Sequence, residues 1–126
     1  MKLVEINATQ TRYGMCAIRV KKVGCIIIST YLRKLLGLKD GDIVSFLQDK
    51  SETRNFYIKK SDTPGSKIRI TNGRSCTTNN VNVSRYLLLY FAKGANSASF
   101  MVAKEPYEYN GEKIYPIITA KPYKLS

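Results

Sequence analysis

The sequence predicts a mainly β protein with two short helices, built as a small pseudo-two-fold β-barrel from two interleaved strand-strand-helix-strand-strand repeats. Three observations point there. Short β-branched or alternating runs recur between Gly, Asn and Asp turn signals along most of the chain. Two brief amphipathic segments interrupt those runs. The two halves also carry similar residues in a similar order.

The first half is the clearer one. Leu3 to Ala8 and Met15 to Lys22 alternate like half-buried strands, and Gly24 breaks the second before the short apolar run Cys25 to Ile28. Ser29 and Thr30 are good N-cap residues; Tyr31, Leu32, Leu35 and Leu36 share one helical face, with Arg33 and Lys34 on the other. Gly37 is placed to end this helix in the left-handed conformation. A helix of about two turns does not persist alone, so packing must hold it. Asp40-Gly41-Asp42 reads as a turn, and Ile43 to Leu47 pairs with Asn55 to Lys60 around a polar loop.

Ser61 to Ser66, SDTPGS, reads as a linker. Lys67 to Thr71 is then expected as a strand before an Asn72-Gly73 hairpin turn, Val81 to Val83 as a short strand, and Arg85 to Ala92 as a helix. Ser97 to Ala103 and Lys113 to Thr119 are expected as strands around an Asn110-Gly111 turn, with Pro116 arguing for an edge or bulge.

Ile26 to Leu36, IIISTYLRKLL, aligns with Val81 to Phe91, VNVSRYLLLYF. Ser29 matches Ser84, Tyr31 matches Tyr86 and Leu32 matches Leu87; a one-residue deletion then brings Ser45-Phe46 onto Ser99-Phe100. The repeat halves are approximately 1–62 and 66–120 of a single domain, 1–126. Halves of about 55 residues close a core poorly alone, which favours interleaving.

Charge is the unusual property. The net charge is +12, from 21 Lys and Arg against 9 Asp and Glu. Ile6 to Lys39 holds Arg12, Arg19, Lys21, Lys22, Arg33, Lys34 and Lys39 with no acid, and Thr63 to Lys104 is also acid-free. Apart from Glu5, the acids collect in Asp40 to Asp62 and Glu105 to Glu112. Segregation of this kind favours an anionic partner such as nucleic acid.

Little else suggests chemistry. The chain has no His, and its three cysteines, Cys16, Cys25 and Cys76, lack metal-ligand spacing; they read as reduced thiols of a cytoplasmic protein. Asp40 and Asp42 are explained by turn formation, no nucleophile stands beside a base, and neither a cofactor nor a metal is expected. No apolar run suits a membrane span or a signal peptide. Nine tyrosines raise base stacking on single strands. However, Tyr31 and Tyr86 read as packing residues, and Tyr107, Tyr109, Tyr115 and Tyr123 lie near the acidic C-terminal region.

Gly24 to Val44, GCIIISTYLRKLLGLKDGDIV, resembles the core motif of the SpoVT/AbrB superfamily, whose pattern runs Gly-basic-apolar-apolar-Ile-Pro, x-x-Leu-Arg-x-x-Leu-Gly-apolar-x-x-Gly-Asp. The resemblance covers Arg19 to Lys60 well and Arg74 to Ile118 weakly. It implies swapped-hairpin halves, two of them in one chain as in MraZ-type members, and the DNA binding of a transcriptional regulator. By position it points to Arg33 and Lys34, with Arg19, Lys21 and Lys22 on the preceding strand. Ser29 and Ser84 stand where the family has Pro, Cys25 where it has a basic residue, and Leu88-Leu89 where it has Arg-Lys. The second half is therefore expected to use Arg69, Arg74 and Arg85, or to turn its apolar helix, Arg85 to Ala92, toward another copy in a homo-oligomer. Arg12 completes the expected DNA-contacting set. The alternative function is a structural or protein-interaction module, such as a virion or assembly component, on the same barrel.

Overall fold

The computed structural model describes residues 15–62 and 65–126. The expected strand Leu3 to Ala8 and the candidate residue Arg12 lie outside the described residues. In chain order the elements are β1 (Ala17–Lys21), β2 (Cys25–Ile28), α1 (Thr30–Leu36), β3 (Ile43–Gln48), β4 (Phe56–Ser61), β5 (Ser66–Lys67), β6 (Arg69–Thr71), β7 (Ser75–Asn79), α2 (Val81–Phe91), β8 (Ser97–Met101), β9 (Tyr107–Tyr109) and β10 (Glu112–Ile117). The strands form two five-stranded antiparallel sheets, ordered β6-β7-β2-β1-β8 and β5-β3-β4-β10-β9.

The middle of the first sheet is where the halves interleave. Hairpins β1–β2 and β6–β7 pair with each other through β2 and β7, with Ile27 opposite Thr77. Within its own hairpin Ile27 faces Arg19, and Thr77 faces Arg69 in the same way. The Ile27–Thr77 pair therefore marks a local pseudo-two-fold axis. The helices cross over as well: α1 packs on β7 of the other half, and α2 on β1 and β2. Ile18, Val20, Ile26 and Ile28 turn inward and join Leu32, Val44, Ile58, Leu87 and Phe100 in one buried core.

Local chemistry explains both helix starts. Ser29 Oγ accepts from the Leu32 N–H at 3.3 Å and from the Ala17 N–H at 3.0 Å, so one hydroxyl caps α1 and ties it to β1. Gly37 ends α1 at φ 67°, a left-handed conformation that glycine adopts without a Cβ clash. Asn80 Oδ1 accepts from the Val83 N–H at 3.1 Å and starts α2. Val81 to Val83, expected as a strand, is thus the first turn of the second helix. The structural counterpart of Ser29 is Asn80 and not Ser84, whose side chain is buried.

The two sheets meet at two seams. β5 and β6, expected as one strand, are interrupted at Ile68, whose N–H donates to Asp42 O and whose carbonyl accepts from the Gly41 N–H. At the other seam Val102 bridges Ile117, and Pro116 O accepts from the Ala103 N–H at 2.8 Å. β9 pairs only as far as Ile114, so Pro116 lies beyond that ladder, at the seam where its carbonyl meets Ala103. The ladders form two sheets rather than one continuous closed barrel. The Asn110-Gly111 turn joins β9 to β10, not β8 to β10.

Candidate nucleic-acid interface

Strand alternation sorts the first sheet into a core face and an outer face. Arg19, Ile27, Thr77 and Arg69 fall in one lateral row across β1, β2, β7 and β6, and adjacent members are registered partners on the outer face. Lys21 extends β1 on that face, and Lys67 on β5 continues the line of Arg69. No strand of this sheet contains Asp or Glu. Three strand steps of about 4.8 Å put the Arg19 and Arg69 backbones roughly 14 Å apart. The second sheet carries both signs: Glu112 pairs with Lys59 at 2.9 Å, and Lys60 of β4 lies 3.5 Å from Asp42 in the turn before β3.

Arg19 is held in place. Its guanidinium donates to Ser99 Oγ (3.0 Å), Ser97 Oγ (2.8 Å), the Lys124 carbonyl (2.8 Å) and Ser126 Oγ (3.2 Å). The segment around Tyr123 runs along the free edge of β8, exchanging main-chain hydrogen bonds with Ser99. Burial raises the Tyr123 phenol, and the Arg19 charge pulls it partly back. All four acceptors of Arg19 are neutral, and among the described residues no Asp or Glu pairs with it.

Most of the other predicted cations gather at the hairpin tips. Lys21, Lys22 and Arg85 line one shallow pocket around Val23, and Arg85 Nε donates to the Lys22 carbonyl at 3.5 Å. Arg33 Nη1 donates to the Gly73 carbonyl at 3.0 Å, beside Arg74 in the β6–β7 tip. Lys34 stands apart, on an apolar groove of α1 with Tyr31 and Leu35. Among the described residues none of Arg19, Lys21, Lys22, Arg33, Arg69, Arg74 and Arg85 is in an ion pair with an acid.

Lys67 belongs with this set, although sequence reasoning missed it. Its signal was the alternation Lys67, Ile68, Arg69, which sends both cations to one face. With Arg69, Thr77, Asn79 and Asp40, Lys67 lines a groove of about 670 Å³ beside β6. The Asp40 and Asp42 carboxylates serve the turn: Asp40 Oδ1 accepts from the Ile70 N–H at 2.9 Å, and Asp42 Oδ2 from the Lys39 N–H at 2.7 Å.

The second helix is buried on one side only. An all-apolar Leu87–Phe91 run implies burial all round, but Leu89 and Tyr90 are 59% and 62% exposed. Only Leu87 and Leu88 reach the core, while Tyr86 and Phe91 pack on Phe56 at its edge. Among the described residues no helix is long and apolar enough to cross a membrane.

No family model, curated protein or solved structure matches this chain.

Proposed function

We propose that this chain is a non-enzymatic DNA-binding protein, an AbrB-like transcriptional regulator whose two halves interleave as swapped hairpins. The outer face of the first sheet and its two hairpin tips dock on duplex phosphates. The observation that carries this reading is the acid-free first sheet, with Arg19 and Arg69 placed symmetrically about the Ile27–Thr77 axis. Their roughly 14 Å separation is comparable with the width of the DNA major groove, about 12 Å, so the face can lie across that groove. Lys21, Lys22, Lys67 and Arg74 extend the contact along the backbone. The non-enzymatic part rests on the carboxylates best placed for chemistry, Asp40 and Asp42, being engaged as turn acceptors. Three free cysteines suit the reducing cytoplasm.

Titration of a labelled duplex tests this reading. Wild type binds at low salt, and the double variant Lys21→Gln, Lys67→Gln, which touches no core contact, binds several-fold more weakly while melting at the same temperature. Wild type that ignores duplex at low salt overturns the reading.

The exposed Leu89 and Tyr90 favour a second reading, a protein-interaction module assembled through α2. Light scattering separates the two. A defined oligomer that Leu89→Glu dissolves, without affinity for nucleic acid, selects the second.

A further inference from the structure

The two halves share a backbone symmetry that their outer surfaces do not share. Arg19 and Arg69 are equivalent about the axis, as are Ile27 and Thr77, and, by the same registers, Cys25 and Ser75. The first half therefore presents a thiol and an aliphatic side chain where the second presents two hydroxyls. Asn79, exposed and opposite Cys25, adds a carboxamide on the second half's strand. The arginines differ too. Arg19 is fixed by four hydrogen bonds to Ser97, Ser99 and the 124–126 segment, whereas among the described residues no hydrogen bond or ion pair holds the exposed Arg69 guanidinium. Asp40 sits in the groove beside Arg69, with one oxygen on the Ile70 N–H and the other outside that bond.

A carboxylate there repels phosphate but suits the amino donor of a cytosine edge. Arginine suits the two acceptors of guanine, and the asparagine carboxamide suits adenine. A half offering Cys25 and Ile27 has no such pattern to offer.

Resting on the DNA-binding reading above, we infer that sequence readout is confined to the second half. Arg69, Asn79, Thr77 and Asp40 meet base edges, and the first half supplies charge alone through Arg19 and Lys21. Proteins with matching two-fold halves read palindromic sites. This chain instead reads one non-palindromic block of duplex.

Selection of bound duplexes from a random pool, followed by sequencing, tests the inference. The expected motif for wild type lacks two-fold symmetry. Asn79→Ala relaxes one position of it by about tenfold, the lower range of one good bidentate contact. Arg69→Gln weakens binding and relaxes a neighbouring position. Arg19→Lys keeps the motif unchanged, and Ile27→Ala, which leaves Arg19 and the tail untouched, does the same. A palindromic motif, or a motif altered as much by Ile27→Ala as by Asn79→Ala, overturns the inference and leaves DNA binding standing. Tight binding with no enriched sequence does the same. A wild-type protein that retains no duplex overturns both.

Discussion

Arg33 and Arg85 do the same work in opposite halves. Arg33, on α1, donates to the Gly73 carbonyl at the tip of the second half's hairpin, at 3.0 Å. Arg85, on α2, donates to the Lys22 carbonyl at the tip of the first half's hairpin, at 3.5 Å. Each helix therefore carries a clasp for the other half's turn, and the interleaving is held by side chains as well as by the β2–β7 ladder. Both residues stand where positive charge is expected to meet DNA, so fold and function draw on the same guanidinium groups.

Removing the clasps weakens the fold unequally. Arg33→Ala lowers unfolding free energy by about 1 kcal/mol, the net worth of a partly exposed hydrogen bond. Arg85→Ala lowers it less, because its bond is long and its side chain exposed. Urea denaturation curves for the two variants provide the comparison.

Ser84 gives a prediction of opposite sign. It is fully buried on α2, and its Oγ has no hydrogen-bond partner among the described residues. Ser84→Ala removes a desolvated hydroxyl, keeps Cβ in place and improves helix propensity. A gain of about 1 kcal/mol in urea unfolding is expected; a loss means that a bound water satisfies the hydroxyl.

Acid stability depends in part on Asp42. The Lys39 N–H, assisted by the nearby Lys60, holds its carboxyl below the ordinary 3.8. A lowered acid favours the fold when ionised. Its contribution is therefore complete above 3.8 and fades as pH falls through the lower folded value. The urea midpoint of wild type should decline across that window, and Asp42→Asn should flatten that part of the decline while starting from a lower midpoint.

Thiol chemistry reports on the core. Burial pushes the Cys16 thiol up to about 11, with Lys104 pulling the other way, and burial raises Cys76 against the pull of Arg33. A raised acid favours the fold when protonated, so this stability is present below 9.0 and is lost as pH rises toward about 11. In the native protein a thiol-reactive chromogen should label half-buried Cys25 first. Cys16 and Cys76 should follow at the unfolding rate. Rapid labelling of all three contradicts the buried placement.

The first half was readable because its signals are local. Ser29 caps within three residues and Gly37 stops the helix by its own φ, so strand β2, helix α1 and the following turn stand where the sequence puts them. The second half misleads for a physical reason. The letters Ser84-x-Tyr86-Leu87 repeat Ser29-x-Tyr31-Leu32, but Asn80 wins the capping position, and the β-branched Val81 and Val83 enter the helix behind it. The break at Ile68 depends on hydrogen bonds to Gly41 and Asp42, far back in the chain. Arg19 could be placed on its strand by alternation, but the serines and tail carbonyl that fix its guanidinium lie 78 to 107 residues away. Lys67 was within reach, since its alternation with Arg69 is local.

The most direct test of the central claim is the salt dependence of duplex binding. With about five or six phosphate contacts from the first sheet, its tips and Lys67, the plot of log binding constant against log salt should be linear, with a slope of roughly −4.5 to −5.5. Lys67→Gln should make that slope shallower by about one contact, near 0.9. A slope close to zero, or no binding of duplex at the lowest salt, contradicts the account.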